Sequence, residues 1–212
     1  MPIIKLIEPE SDVRIGVWEI TESAEELVGV LQLNDDERQF LDSLRNGKRY
    51  LHWLSSRVML RKLLNTDQFI EIGADEKGKP FLKNFSHKIS ISHSHNMAAV
   101  MLSKRYEVGI DIEHIHPKVE KISKKFLSDK ELVNIDPFYN IDHLMLCWCA
   151  KEAIFKWYAK GEVDFRQHLH LRNYDYRISG RMEGMILKDD CIAELVVHYE
   201  KMDQYMLAYV WR

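Results

Sequence analysis

The sequence predicts an α+β protein in which small antiparallel sheets pack with helices. Strand-like and helical patterns are mixed in both halves of the chain rather than separated. Apolar residues make up 46% of the 212 residues, which is enough to bury a core. No Pro-, Gly- or Ser-rich linker divides the chain, so we expect any two domains to pack closely.

The first elements are a strand and three helical segments. β-Branched and aromatic residues predict a strand over Val13–Ile20, and apolar spacing then predicts a helix over Ser23–Leu33. Asn34 and Asp35 are candidate caps of a second helix. A single apolar stripe predicts a longer helix over Lys48–Leu64. The N-terminal region is therefore expected to be largely helical after its first strand.

The middle of the chain is expected to be β-structure. A short strand is predicted at Gln68–Ile72, followed by a turn over residues 74–80. Three further strands are predicted at Lys88–Ser92, Met97–Ser103 and Glu107–Glu113.

The C-terminal half repeats the mixture of helices and strands. Helical spacing predicts helices over residues 118–135 and 142–160. The predicted strands that follow are Leu169–Arg177, Arg181–Leu187, Cys191–Tyr199 and Tyr205–Trp211.

Composition excludes several functional classes. The formal charge is −3 and no long basic run is present, which argues against a dedicated nucleic-acid binder. The longest apolar run, Leu144 to Ala150, is far shorter than the roughly 18 residues needed to cross a bilayer. The N-terminus lacks a secretory pattern and the three cysteines suit a reducing compartment, so we expect a cytoplasmic protein without a membrane span.

The nine glycines are placed so that neither G-x-G-x-x-G nor G-x-x-x-x-G-K-[ST] occurs. H-E-x-x-H, G-x-S-x-G and C-x-x-C are also absent. Any phosphate site in this chain is therefore expected to use side chains rather than a glycine-rich loop.

Two carboxylates share one face of the predicted strand at V-G-I-D-I-E. Side chains alternate along a strand, so Asp111 and Glu113 point to the same side. Paired carboxylates raise each other's pKa unless a cation lies between them, and their oxygens suit hard ions such as Mg²⁺. The alternative is an ordinary half-exposed strand with a solvated polar face.

A second candidate lies in the predicted helix W-C-A-K-E-A-I-F-K. Glu152 and Lys156 are four residues apart, opposite the apolar stripe, and could present a carboxylate and an ammonium to one ligand. The alternative is an exposed helix ion pair that contributes only about 0.2 to 0.5 kcal/mol.

Three smaller candidates carry phosphate-binding groups. Ser92 and His93 lie at a strand end, where a hydroxyl and an imidazole can bind phosphate oxygens. A zinc site is a weaker interpretation of the His-x-His pairs, because no suitably placed cysteine pair accompanies them. Lys79 and Pro80 could equally form a plain turn, and Arg57 a helix-surface charge.

Five motifs occur together in a fixed order: G-K-P (78–80), I-S-H-S (91–94), V-G-I-D-I-E (108–113), F-L-S-D-K-E (126–131) and W-C-A-K-E-A-I-F-K (148–156). On these motifs the chain from about Arg57 to Gly161 resembles the 4′-phosphopantetheinyl transferases of the Sfp type. That family transfers the phosphopantetheine arm of coenzyme A to a serine of a carrier protein. It uses Mg²⁺ and releases adenosine 3′,5′-bisphosphate.

The resemblance implies two similar half-domains related by a pseudo-twofold, each a small antiparallel sheet packed with helices, with the active site between them. Residues 1–105 are expected to bind coenzyme A. Residues 106–212 are expected to carry the metal and catalytic motifs and the carrier dock. The family also implies a monomer.

The resemblance assigns the site residues one by one. Asp111, Glu113 and Glu152 would bind Mg²⁺, and Lys156 would contact phosphate from the same helix as Glu152. Glu152 is the expected base for the serine proton, directly or through a metal-bound water. The implied coenzyme A contacts are His93, Ser92 and Arg57 at the 3′-phosphate, Lys79 and Pro80 on the adenine side, and Lys48 and Arg49 as further basic contacts.

Two positions of the motifs have weaker implications. Cys149 stands where the family has Ser or Thr, and we expect little effect because no metal or phosphate role rests there. For Glu131 a helix-capping or supporting role is as well founded as a catalytic one.

A lysine-rich segment lies between His114 and Lys130, with Lys118, Lys121 and Lys125 on one predicted helical stripe. The family's carrier proteins are acidic around the modified serine, so this stripe is a candidate dock. A solvated amphipathic helix is the alternative. Two other functions stay open for the chain as a whole, a Mg²⁺-dependent nucleotide phosphohydrolase and a catalytically silent coenzyme A-binding subunit.

Overall fold

A computed structural model describes residues 3–44, 47–172, 174–188 and 190–212. The chain forms two compact units, Met1–Tyr106 and Glu107–Arg212, and each has an apolar core of its own. Every strand pairing within them is antiparallel. The predicted α+β class with small antiparallel sheets packed with helices is therefore confirmed. The functions expected of the two halves stay predictions.

The first unit contains a four-stranded sheet, a two-stranded hairpin and three helices. Its described elements are β1 Ile3–Glu10, β2 Val13–Glu19, α1 Ala24–Gly29, α2 Asp35–Ser43, α3 Lys48–Leu64, β3 Ile72–Ala74, β4 Pro80–Leu82, β5 Lys88–Ser94 and β6 Met97–Ser103. The sheet order is β1-β2-β6-β5, with β3 paired to β4. Helix α3, the longest described helix of this unit, packs against β2 and β6.

Local capping explains where the short helices begin. Ser23 caps α1 and Asn34 caps α2, and in each case a glutamate three residues later completes a capping box. The predicted cap at Asn34 and the predicted helix Lys48–Leu64 are confirmed.

One predicted strand of this unit is wrong. Residues 68–71 are not in a strand, and β3 begins only at Ile72. The side chain of Asn84 accepts from the backbone N–H of Glu71 and donates to the carbonyl of Phe69. Side-chain hydrogen bonds therefore satisfy backbone groups that a neighbouring strand would otherwise pair. Strand β1 was not predicted.

The second unit is a five-stranded sheet covered by a long helix. Its described elements are β7 Val108–His114, α4 Lys118–Phe126, α5 Asp129–Leu132, α6 Asn140–Tyr158, α7 Phe165–His168, β8 Leu169–Leu171, β9 Ser179–Lys188, β10 Cys191–Met202 and β11 Tyr205–Trp211. The sheet order is β7-β11-β10-β9-β8, and α6 packs against β7 and β11.

Strand β8 is shorter than the predicted strand Leu169–Arg177, because it ends at Leu171. Beyond it, Tyr174 and Tyr176 pack their rings against buried His143 instead of extending the sheet. Over the described ranges, no helix has the combination of length and apolar character that a bilayer span requires.

Glycine at position 109 permits the close packing of α6 on β7. A Cβ atom there would lie 2.0 Å from the carbonyl oxygen of Ala153 and 2.7 Å from the backbone nitrogen of Trp157. Both atoms belong to the helix backbone, so no side-chain rotation relieves the clash. The helix and the strand can approach this closely only because residue 109 has no side chain.

Candidate active site

Strand β7 carries two of the predicted carboxylates, Asp111 and Glu113. Asp111 is buried, with 4% of its side chain exposed, and Glu113 is half-buried. The alternative of a solvated polar strand face is wrong for Asp111. A buried carboxylate requires a charged or hydrogen-bonding partner, since desolvation of an ion is costly.

Lys156 supplies that partner from helix α6. Its Nζ donates to Asp111 Oδ1 at 2.7 Å, and the lysine side chain is 26% exposed. Lys156 therefore turns toward the strand and is not the cation of a freely exposed helix pair. The close approach at Gly109, two residues before Asp111, brings the two charges together.

Glu152 lies one helical turn before Lys156 and belongs to the same charged group. The pKa of Glu152 is raised to about 7, chiefly by burial. The neighbouring charge of Asp111 and, to a smaller extent, that of Glu113 act in the same direction, whereas Lys156 opposes them. These mutual effects show that the three predicted metal ligands are close enough to interact electrostatically.

The donor set suits a hard divalent cation, because three carboxylates supply oxygen ligands only. Across the described residues, however, no group of three or more histidine, cysteine, aspartate or glutamate side chains is arranged to hold a metal ion. The carboxylates are thus neighbours without forming a closed coordination cage. Their chemistry fits Mg²⁺, and its binding stays a prediction.

Lys151 is a buried residue that sequence reasoning missed. Its side chain has no exposed surface, and Nζ donates to the carbonyls of Phe126, Phe165 and Leu169 at 2.7 to 3.0 Å. It also pairs with Glu131 at 2.9 Å. The adjacent residues Lys151 and Glu152 therefore differ in role: the first ties chain segments together and the second faces the charged group.

Glu131 has the capping role that was one of its two interpretations. Its carboxylate accepts from the backbone N–H and the hydroxyl of Ser128 at the start of α5. It also accepts from the backbone N–H of Leu171. Lys151 and Glu131 together therefore fasten α5 and β8 to α6.

A cavity of about 390 Å³ lies beside Glu152 in the second unit. Its apolar wall includes Phe126, Trp148 and Phe165. The ring centroids of Phe126 and Trp148 are 5.2 Å apart, and those of Trp148 and Phe165 are 5.7 Å apart. Lys125 lies on its lining as well. The charged group therefore borders an apolar hollow within the same unit.

Cys149 is fully buried next to the charged group. Its Sγ lies 3.5 Å from the carbonyl oxygen of Met206, and burial together with the charges of Asp111 and Glu113 raises the pKa of the thiol. A hydrogen bond to the side chain of Asp111 acts in the same direction, so the thiol is kept protonated.

The predicted phosphate ligand Arg57 lies in helix α3 of the first unit. Its guanidinium stacks 3.2 Å from the ring centre of Trp53 and lies 3.5 Å from a carboxylate oxygen of Glu37. Burial lowers its pKa to about 10, so it stays charged at neutral pH. The alternative of a surface charge is wrong, because this arginine is largely buried.

Ser92 and His93 lie on strand β5, with the serine buried and the histidine exposed. The ring of His93 stacks on that of His52 from helix α3, with 4.3 Å between centroids and 13° between planes. His52 is a second residue that sequence reasoning missed, since a single histidine within an apolar helix pattern gives no signal.

Lys79 and Pro80 end the turn between β3 and β4, and both are half-buried. The carboxylate of Asp75 accepts from the backbone N–H groups of Lys77 and Lys79, and Gly78 adopts a φ of +85°. The turn that sequence predicted here is therefore well defined. The half-buried side chain of Lys79 is therefore only partly accessible to a ligand.

Lys48 and Arg49 form the exposed first turn of α3. In the second unit, helix α4 exposes Lys118, Lys121 and Lys125, while Val119 and Phe126 are buried. The lysine stripe is therefore at the surface, as a dock would require. Solvation of an amphipathic helix would give the same exposure.

A family model described as the 4′-phosphopantetheinyl transferase superfamily matches residues 107–210. The matched segment is almost the whole second unit and includes Asp111, Glu152 and Lys156. The second unit is thus a domain of this superfamily. The resemblance inferred from the five motifs is confirmed at the level of the superfamily.

Three relatives illustrate the similarity. A Haemophilus influenzae protein provisionally named a 4′-phosphopantetheinyl transferase is 27% identical, over 77% of this chain and 73% of its own length. The 4′-phosphopantetheinyl transferase AcpT of Escherichia coli is 33% identical, over 52% of this chain and 58% of its own length. A 4′-phosphopantetheinyl transferase of Bacillus subtilis is 30% identical, over 43% of this chain and 42% of its own length. The alignments thus span about half of the last two superfamily members.

Proposed function

We propose that this protein transfers the 4′-phosphopantetheine group of coenzyme A to a serine hydroxyl of an apo carrier protein. One observation carries the proposal: the segment that matches the superfamily is the segment in which Asp111, Glu152 and Lys156 converge. The names of the relatives support the same reaction.

The balanced reaction joins the serine Oγ to the β-phosphorus of coenzyme A and breaks the bond between that phosphorus and the bridging oxygen. The bridging electron pair leaves with adenosine 3′,5′-bisphosphate. Glu152 accepts the serine proton, directly or through a water. Lys156 stabilises charge that develops on the phosphate oxygens, because an ammonium held in a partly buried site interacts strongly with an anion.

Asp111, Glu113 and Glu152 would hold Mg²⁺, which when bound would offset the negative charge of the pyrophosphate. Lys156 would then share Asp111 with the metal and turn its other hydrogen-bond donors to phosphate. Asp111 is buried, so its carboxylate would meet the metal and Lys156 with little competition from bulk water.

The first unit would supply the remaining coenzyme A contacts. His93, Ser92 and Arg57 are proposed to serve the 3′-phosphate. The half-buried turn is proposed to line the adenine through Lys79 and Pro80, and the first turn of α3 to add Lys48 and Arg49. The proposal thus requires residues of both units to bind the same coenzyme A molecule, as expected of two similar half-domains.

The decisive test is incubation with coenzyme A, Mg²⁺ and several apo carrier proteins, followed by intact-mass analysis. A phosphopantetheine adduct on a carrier serine is the expected result, and chelation with EDTA should abolish it until Mg²⁺ is restored. Nucleotide hydrolysis without an adduct would favour the phosphohydrolase. Coenzyme A binding without either reaction would favour the silent subunit.

Asp111→Asn should lower kcat/KM for transfer at least about 100-fold, the scale of losing one preorganised charged contact. The matched control is Asp203→Asn, because Asp203 lies in an exposed turn with a φ of 52° that asparagine tolerates. Full activity of the Asp111 variant would contradict the metal and phosphate assignment.

The carrier is proposed to be acidic around its serine and to dock on the exposed lysine stripe of α4. Charge reversal at Lys121 and Lys125 should raise KM for the carrier about tenfold and leave KM for coenzyme A unchanged. Lys124→Glu is the matched control, because Lys124 is exposed on the same helix but lies off the stripe. An unchanged carrier KM in the double reversal would refute this dock.

A further inference from the structure

His52 makes two separate contacts that converge on the segment carrying His93. Its ring lies parallel to the His93 ring, 4.3 Å away. Its Nε2 is 2.7 Å from the backbone carbonyl oxygen of His95, in the turn that follows β5. His52 itself is 8% exposed, so it is held by the packing around α3.

The hydrogen bond places a hydrogen on Nε2 of His52. A carbonyl oxygen can only accept, so Nε2 of His52 must carry a hydrogen and donate it. The ring plane is consequently fixed at one edge by this bond, and one of its faces is presented to His93. His95 has a φ of 53°, a conformation uncommon for a residue with a side chain, and the bond helps to hold it.

His93 benefits from a fixed neighbour because its side chain is exposed on its strand. An exposed side chain loses rotamer freedom when it binds a ligand, and a partner that already fixes its ring reduces that cost. The parallel stack therefore favours one orientation of the His93 ring for a phosphate ligand.

We propose that His52 is a positioning residue that orients His93 toward the 3′-phosphate of coenzyme A. The inference rests on the proposed function, which gives His93 this ligand. Because the stack acts through His93 alone, its effect is confined to ligands that carry the 3′-phosphate. A general loss of structure would instead weaken coenzyme A and 3′-dephospho-coenzyme A equally.

The test measures the dissociation constants of coenzyme A and 3′-dephospho-coenzyme A by calorimetry, without a carrier protein. His52→Gln keeps an N–H donor for the His95 carbonyl but removes the stacked ring. We expect it to reduce the preference for coenzyme A over 3′-dephospho-coenzyme A about two- to tenfold, the range of an aromatic pair. His52→Phe keeps a ring and should restore the preference toward the wild-type value. Thermal melting verifies that both variants are folded.

His93→Ala is the reference for this measurement. It should reduce the same preference, and adding His52→Gln to it should produce no further reduction. Equal weakening of both ligands by His52→Gln, or additive losses in the double variant, would overturn the positioning role. A His93→Ala protein with the wild-type preference would overturn it as well. Failure of the wild type to bind coenzyme A would instead refute the proposed function.

Discussion

Replacing Gly109 by alanine tests whether the contact between α6 and β7 creates the charged group. The added Cβ would lie 2.0 Å from the Ala153 carbonyl oxygen and 2.9 Å from the Trp157 Cβ. An ordinary contact is longer by more than about 1 Å, so the helix would have to move away from the strand by roughly that distance.

The loss in free energy of unfolding depends on which atoms must move. Overpacking a core costs about 1 to 3 kcal/mol, and backbone atoms of a buried helix place this variant at the upper end. The φ of Gly109 is not in the left-handed region, so conformational strain adds nothing. Displacement also lengthens the 2.7 Å contact between Lys156 and Asp111, and a misplacement of about 1 Å in a catalytic site can cost about 100-fold in rate.

Chemical denaturation and transfer kinetics measure the two effects separately. Gly109→Ala should lose about 3 kcal/mol in free energy of unfolding, and the protein that stays folded should lose most of its transfer rate. The matched control is Gly29→Ala, because a Cβ at Gly29 meets nothing within 4 Å. A Gly109 variant with wild-type stability and rate would refute the reasoning, since the helix could then accept a side chain at no cost.

Two further predictions concern buried titratable groups. Lys151→Met should destabilise the protein by about 3 to 5 kcal/mol in urea titrations, because it leaves Glu131 charged and unpaired, and Glu131→Gln in the same chain should recover part of the loss. The control Lys160→Met breaks an exposed ion pair and should lower the free energy of unfolding by less than about 1 kcal/mol. Equal losses in the Lys151 and Lys160 variants would contradict the argument that burial makes the Lys151 pair important. Burial lowers the pKa of His143, whose Nδ1 accepts from the backbone N–H of Asp136. The contribution of neutral His143 to the free energy of unfolding is therefore present at neutral pH. It declines as the pH falls below about 6.5, the pKa of histidine in the unfolded chain. Melting temperatures between pH 7 and 5 should therefore fall less in His143→Gln than in the wild type, and an identical decline would contradict this assignment.

Regular periodicity made most of the fold predictable from sequence. The stripe of Lys48–Leu64, the β-branched residues of β2 and the apolar run of β6 correspond closely to observed elements. Strand β1 was missed because Ile3–Glu10 has apolar residues on both faces and a proline near its end. The false strand at residues 68–71 has β-forming residues, but the side chain of Asn84 binds their backbone instead. Local composition does not reveal a partner 13 or 15 residues away.

The site was predictable to the extent that motifs encode it. Spacing alone left Asp111 either at a cation site or on a solvated face. It left Lys156 either facing a ligand shared with Glu152 or in an exposed helix pair, and only the resemblance joined the two residues. The structure replaces both alternatives with one buried contact, whose cause is Gly109 in the adjoining strand. Lys151 and His52 escaped prediction because their partners are backbone carbonyls and a distant ring, which leave no pattern in sequence.

The charges of the second unit connect its packing to the proposed chemistry. The ammonium of Lys151 is already paired with Glu131 and hydrogen-bonded to three backbone carbonyls, so it does not balance the charge of the neighbouring carboxylates. Three carboxylates and the ammonium of Lys156 therefore leave two negative charges when all are ionised, and this excess adds to burial, the main cause of the raised pKa of Glu152. A proton relieves one of these charges, whereas a divalent cation balances both. The same excess that is unfavourable in the isolated chain thus favours the proposed Mg²⁺, whose binding would remove the net negative charge that repels the pyrophosphate of coenzyme A.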